Sequence, residues 1–405
     1  MPVLLKAAAI IVLLLVLLRL KIDLGLALLA DAVLTAALFR MPAADFFRTS
    51  GRTLVDGETL TLLGILVLVL YLGYFLQADN SFRRMVDALK AIVRDPRLIL
   101  AVPSAFIGLL PMTAGAMMGA PIVEEAAAPY GLSPAWMTFL NYWFRHIWEY
   151  CWPLYTNLIL VALILKVPIG RVCLYQFPFT LLAIGAGLAA LFRKVPRGPR
   201  LAKRRATPAD YVRVIGSIWP IALTIGLVFG LRMAMLPALA VACLASQVLS
   251  RMPLRTRLDV IRRSVTPRIV LLTGAVMIFK RILETSGALD SMVKAVPPGG
   301  IGTYALLFAA PFIVGFLTGV NQAYVAIAFP LLAPIIGRGR PDMILLMFAY
   351  VSGFVGILLS PAHLCLAFTA EYFKADLKDV YRILWRPVAV VFAGAVGVLI
   401  VGKVL

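Results

Sequence analysis

The chain has 405 residues, 62% of them hydrophobic and only 14% charged, with 39 Lys and Arg against 19 Asp and Glu for a net charge of +20. A soluble domain carries nearer a quarter charged residues and has no core able to hide this much apolar surface, so soluble enzymes, disulfide scaffolds and disordered chains are excluded. The positive excess lies mainly between apolar runs and is not interleaved with a stacking platform, which points to lipid head groups and away from nucleic acid.

Two apolar runs open the chain, 3–20 and 23–39; no small-residue cleavage site follows the first, which is read as a retained span. A basic, weakly amphipathic stretch at 42–55 leads to a run at 58–77 and then an interfacial helix from Ser81 to Arg94. Phe82, Met85, Val86, Leu89 and Val93 share one face of that helix. The segment 98–129 is interrupted at its centre by Pro111-Met112-Thr113-Ala114-Gly115, and can enter and leave on one side as a helical hairpin. A span over 134–166, broken at 150–157, and a last span over 172–192 complete the first half.

After a linker with seven basic residues from Arg193 to Arg205, the same order returns. Runs at 211–231 and 234–250 precede a basic stretch at 253–267 and a run at 269–285. A second hairpin, 301–336, is interrupted around Thr318-Gly319-Val320-Asn321-Gln322; a span over 342–371 breaks at 359–363, and 387–404 closes the chain. Short matches recur in register: Arg40-Met41-Pro42 as Arg251-Met252-Pro253, Met85-Val86-Asp87-Ala88 as Met292-Val293-Lys294-Ala295, and Trp152-Pro153 as Ser360-Pro361. Their order and nearly constant offset predict an internal repeat.

A hairpin adds no net crossing, so each half crosses five times and the halves are inverted. The expected fold is an all-α polytopic membrane protein of two inverted repeats, 1–192 and 210–405. Each repeat has five crossings plus one re-entrant hairpin, with discontinuous helices at the midplane. With the 193–209 linker cytoplasmic, 22 basic residues fall inside and nine outside, the direction of the positive-inside rule. Both termini are then expected outside the inner (plasma) membrane.

Helix breaks survive in hydrocarbon only where protein or water satisfies the freed backbone groups. Paired breaks in inverted halves point to a secondary transporter whose site lies between half-helix ends. Two broken hairpins and two proline-broken spans in about 400 residues resemble the ion transporter superfamily of elevator-type secondary carriers. Within it, Asn141-Tyr142-Trp143-Phe144-Arg145-His146-Ile147-Trp148-Glu149 and Ser360-Pro361-Ala362-His363 resemble the DUF401 integral membrane proteins. The resemblance implies a homodimer with a fixed scaffold and a moving transport domain formed by 98–166 and 301–371. Sodium-coupled relatives carry Ser-Asn-Thr at the hairpin tips; neither tip here has it, which favours protons over sodium as the driver.

Ionisable groups inside spans are functional by default. Arg145, His146 and Glu149 lie within one helical turn, Arg145 and Glu149 being spaced for an ion pair. Arg145 is assigned to a small anionic solute, and His146, Glu149, His363 and one hairpin carboxylate, Glu124, to proton coupling. Thr113, Gly115, Asn141, Asn157, Thr318, Asn321, Gln322, Ser360 and His363 are the remaining candidates for contact with the solute. Lys280, Arg281 and Glu284, near a span end, are expected to reach the interface. The four cysteines have no metal spacing and read as free thiols.

Two alternatives remain open. The aromatic cluster of Trp136, Tyr142, Trp143, Trp148, Tyr150 and Trp152 suits a lipid-linked or amphipathic substrate as well as plain packing. His146-x-x-Glu149 with His363 can be drawn as an intramembrane metal enzyme. The chain has no H-E-x-x-H, nucleophile elbow or phosphate loop. A carrier without a catalytic metal or cofactor is therefore the expectation.

Overall fold

A segment of apolar residues in lipid must pair its backbone N–H and C=O groups internally, and the helix does this within one segment. The computed structural model describes residues 2–93, 95–109, 115–196, 206–288, 291, 300–337 and 340–404, whose regular structure is all helical, with no strand among the described residues. Helices α1 (Val3–Arg19), α2 (Leu24–Leu38), α3 (Ala43–Leu54), α4 (Gly57–Ala78) and α5 (Ser81–Ile92) come first. They are followed by α6 (Val102–Ile107), α7 (Gly115–Ala127), α8 (Pro134–His146), α9 (Thr156–Leu165) and α10 (Ile169–Lys194). The second half holds α11 (Pro208–Ile225), α12 (Met235–Leu249), α13 (Leu254–Ser264), α14 (Pro267–Thr285) and α15 (Ile301–Thr318). It ends with α16 (Asn321–Ile336), α17 (Met343–Leu359), α18 (Leu364–Phe373) and α19 (Leu377–Val404).

Among the described residues, six stretches are by length and composition long and apolar enough to cross a membrane: Gly57–Ala78, Ile169–Lys194, Pro208–Gly230, Ile301–Thr318, Met343–Phe373 and Leu377–Lys403. Shorter apolar helices, among them Leu24–Leu38, Met235–Leu249 and Asn321–Ile336, accompany them. In an 18-residue apolar window of Met343–Phe373, 83% of the residues are buried within the protein, against 22% in that of Pro208–Gly230, so the broken span of the second half lies at the centre.

The interruptions fall close to where proline and glycine place them. The first broken span is unwound over 147–155, three residues earlier than expected at its start, because α8 ends at His146 before the Trp152-Pro153 pair is reached. The second opens at Ser360 and re-forms after His363. Each broken span ends on a lysine in the left-handed region, Lys166 at φ 56° and Lys374 at φ 55°. At the second hairpin tip Gly319 takes φ +63°, where a side chain is strained and a Cβ would lie 2.5 Å from the His363 backbone nitrogen. The first hairpin tip, with Thr113, lies outside the described residues.

Helices of the first and second halves meet at two places that matter for the charges. Glu58, at the start of α4, pairs at 3.2 Å with Lys280 in the last turns of α14. The C-terminal end of α10 (Arg193, Lys194) lines one groove with the N-terminal part of α19 (Arg382, Arg386). Lys280 therefore does not reach the interface as expected. Packing of α14 on α2, α3 and α4 buries it, and Glu58 supplies the countercharge that a buried ammonium needs. Arg281 is likewise held by Asp56 at 2.7 Å.

The helices pack in two groups. One contains α1 to α5 and α11 to α14; the other builds α6, α7, α15 and α16 around the broken spans α8–α9 and α17–α18. The terminal spans α10 and α19 lie against this second group, on α8 and α17.

Candidate functional site

The unwound segments of the two broken spans meet in the middle of the protein. From α8 come Tyr142, Arg145 and His146, with Glu149 just beyond it; from the other half come His363, at the start of α18, and Cys365. All are buried: Arg145 is 4% exposed, His146 1%, Glu149 1% and His363 7%. Four ionisable groups this deep survive only if each is held by polar partners.

The two imidazoles are fixed from behind. His146 Nδ1 lies 2.5 Å from the Tyr142 carbonyl oxygen and His363 Nδ1 lies 2.7 Å from the Gly319 carbonyl oxygen. A carbonyl only accepts, so both Nδ1 atoms carry hydrogen and donate it. The bare Nε2 atoms then face each other at 3.0 Å, joining residues 217 apart in the chain. Two lone pairs at that distance repel; a single proton between them turns the contact into a charge-assisted hydrogen bond.

The surrounding groups also cross between the halves. Arg145 Nη1 donates to Cys365 Sγ at 3.1 Å and lies 3.4 Å from His146 Nε2. Glu149 Oε1 is 3.7 Å from His146 Nε2, and its other oxygen accepts from Asn321 Nδ2 at the start of α16. Tyr350 donates to the Glu149 carbonyl at 2.6 Å and accepts from Asn157 at 2.7 Å. Formally, Arg145 and Glu149 cancel, and a proton on the histidine pair leaves one positive charge.

A second layer of contacts ties the hairpins to this centre. Asn141 donates to the Ala116 carbonyl at 2.8 Å and to Thr369 at 3.3 Å, and accepts from Ser104 at 3.0 Å, so it grips both arms of the first hairpin. Gly119 leaves it room, since a Cβ there would lie 2.3 Å from the Asn141 amide oxygen. Trp148 and Tyr155, flanking the first break, donate to the Ala105 and Gly108 carbonyls of α6 at 2.8 and 2.5 Å. These bonds take up freed carbonyls where lipid has no donors.

His146, His363 and Cys365 each present a ligand atom, all within 4.8 Å of one another. Imidazole hydrogen-bonded through Nδ1 with Nε2 free is the arrangement of metal-ligating histidines. The Arg145 guanidinium, in contact with two of the three atoms, puts positive charge where an ion would bind.

The family model described as "Protein of unknown function (DUF401)" matches residues 1–404. The chain belongs to this family. No curated protein matches it.

Within this DUF401 chain, Arg145, His146, Glu149, Asn321 and His363 form one cluster, and Ser360 is buried beside it with its hydroxyl accepting from the Ala362 N–H at 3.2 Å. The remaining candidates lie elsewhere or serve the frame. Asn141 and Asn157 brace helices, Thr318 bonds back to the Val314 carbonyl at 2.7 Å, and Gln322 is half-buried next to Asn321. Gly115 opens α7. Glu124 is exposed on the returning hairpin arm, where it accepts from Tyr372 at 2.8 Å. Sequence reasoning missed Cys365 and Tyr350 as neighbours of this cluster, and named Tyr142 only among the aromatics of a possible amphipathic-substrate wall. The one local signal was the position of Cys365 two residues after His363, on the first turn of a half-helix.

Proposed function

We propose that this DUF401 protein is a secondary transporter that carries a small anionic solute together with a proton by an elevator-type alternating-access movement. The observation that carries the reading is the buried pair His146–His363, contributed by two unwound spans of opposite halves and held against the carbonyl of a hairpin tip. Inverted repeats with discontinuous helices place solute and ion sites at such points. The meetings of α4 with α14 and of α10 with α19, each bringing the start of one helix near the end of the other, support the inverted relation.

The charge count supplies the coupling. Without the extra proton the cluster is neutral; with it one buried positive charge is left, which is costly unless an anion arrives with it. Proton and anion therefore enter as a pair and leave as a pair. Arg145 is the group offered to the solute's negative charge, and the Asn321 amide oxygen, buried without a partner among the described residues, can accept only from an O–H or N–H of the solute. The moving unit is 98–166 with 301–371, and the remaining spans, the terminal α10 and α19 among them, form the scaffold of a homodimer.

Surface ion pairs agree with the proposed topology. Arg268 pairs with Asp23, Lys90 with Glu125, Lys166 with Glu58 and Lys403 with Asp342, and each pair joins stretches assigned to one side. With the basic linker inside, epitope tags at either terminus are expected to be labelled from outside intact cells. Protection of both tags until the cells are opened would invert the orientation.

Proteoliposomes loaded with a pH-sensitive dye test the carrier reading. Across a panel of carboxylates, sulfate and phosphate, at least one anion is expected to acidify the lumen only when protein is present and without sodium. Uptake that needs sodium at constant pH on both sides would defeat proton coupling. A metal reading of the same three ligand atoms is checked by elemental analysis of purified protein, where stoichiometric zinc would replace the proton pair.

A further inference from the structure

Away from the central cluster, α10 and α19 enclose a groove of about 920 Å³ on the outer surface of the protein. Its wall is apolar and partly built from small residues, including Leu181, Gly185, Ala186, Ala189, Pro387 and Val390. From Pro178 to Lys194 it follows sixteen residues of helix, about 24 Å at 1.5 Å per residue. That is longer than half the roughly 30 Å hydrocarbon core. The groove therefore runs in the direction of an acyl chain and outreaches one leaflet.

One end of the groove is strongly basic. Arg193 and Lys194 close α10, and Arg382 and Arg386 face them from α19. Arg382 is paired with Asp379 at 2.9 Å, whereas Arg193, Lys194 and Arg386 have no carboxylate partner among the described residues. Trp136 lines the same end, with Lys194 5.9 Å from the ring centroid. An indole between an apolar wall and a charged mouth marks the head-group level. A long apolar groove with three cations at one end that have no carboxylate partner among the described residues is complementary to a molecule with an apolar tail and an anionic head.

We propose that this groove is a binding site for an anionic phospholipid, its phosphate held by Arg193, Lys194 and Arg386 and one acyl chain lying along Leu181, Gly185 and Ala189. The bound lipid would wedge between the terminal spans of the two halves, α10 and α19. The site is separate from the His146–His363 pair, so it stands whether or not the chain is a carrier.

Native mass spectrometry of the purified full chain, delipidated and given equal amounts of phosphatidylglycerol and phosphatidylcholine, tests this. Phosphatidylglycerol is expected to be retained at least roughly tenfold over phosphatidylcholine, as a few near-surface cations allow. The double variant Arg193→Gln with Arg386→Gln should bring the two lipids to parity. Gly185→Leu, at a position where a Cβ meets nothing within 4 Å, should fill the groove without disturbing packing and lower retention of both lipids. Millimolar inorganic phosphate should not displace phosphatidylglycerol, since the tail supplies much of the affinity.

Equal retention of the two lipids by the unaltered chain would overturn the proposal, as would full retention in Gly185→Leu or displacement by free phosphate. A disulfide between two copies carrying Leu181→Cys in native membranes would also overturn it, by showing a second copy seated in the groove.

Discussion

His363→Gln is expected to abolish proton-driven accumulation while exchange of solute across equal concentrations continues. The glutamine amide can still donate to the Gly319 carbonyl, so the hairpin tip keeps its anchor, but it cannot hold a titrating proton against His146. The His146 Nε2, which stands 3.0 Å from its partner in the unaltered chain, is then left without a second titrating nitrogen to share a proton. Without it the empty site and the loaded site no longer differ by a proton. The lumenal dye response should fall to the protein-free background, and counterflow of labelled anion should persist. Unchanged proton movement in this variant would remove the histidine pair from coupling and leave Glu149, the neighbouring carboxylate, as the group to replace next.

Gly356→Ala is expected to destabilise the protein by about 1–3 kcal/mol, the usual cost of forcing extra volume into a packed interface. Gly356 lies where α17 crosses α15, and a Cβ there would stand 2.4 Å from the Phe312 carbonyl oxygen and 3.0 Å from the Phe316 nitrogen. Both are backbone atoms, so a rotamer change cannot relieve the clash and the helices must separate. Gly315, on the facing helix, has the reciprocal contact, its Cβ falling 2.4 Å from the Gly353 carbonyl oxygen. Small residues that let helix backbones touch are the main source of tight packing in lipid, where burial of apolar surface gives no drive. Because α15 ends at Gly319, separation would also pull the tip carbonyl away from His363. Gly216→Ala is the control: nothing lies within 4 Å of its Cβ, and its melting temperature should be unchanged or slightly raised. Equal melting temperatures for Gly356→Ala and the unaltered chain would show that this crossing is not tight.

Much of the helix plan was legible in the residues because each boundary has a local cause. Pro134, Pro208 and Pro267 each occupy the first position of a helix, and Asp23, Thr266 and Asp342 accept hydrogen bonds from the N–H groups of the turns they precede. The break near Trp152-Pro153 was visible as sequence, yet its start was not. The unwinding begins at Ile147 because the Thr180 hydroxyl from α10 takes the Ile147 carbonyl at 2.9 Å and Tyr350 takes that of Glu149. Neither partner is close in the chain. For the same reason Lys280 resembled an interfacial lysine until the packing of α14 on α4 brought Glu58 to it.

By itself the sequence determined that this chain suits lipid, that its segments are helices, and that the second hairpin and the two long spans are interrupted. The solvent imposes those outcomes on each segment separately: every backbone group must be paired, and a helix pairs them within one segment. Proline alone does not fix a break, since Pro178, Pro220, Pro311 and Pro387 all sit inside continuous helices. What the tertiary structure alone decided is which interruptions meet. His146, His363 and Cys365 become one group of atoms only when two unwound spans from opposite halves cross. Whether a buried histidine is a packed ring or half of a proton pair depends on the atom placed 3.0 Å away, which no local rule of the chain specifies.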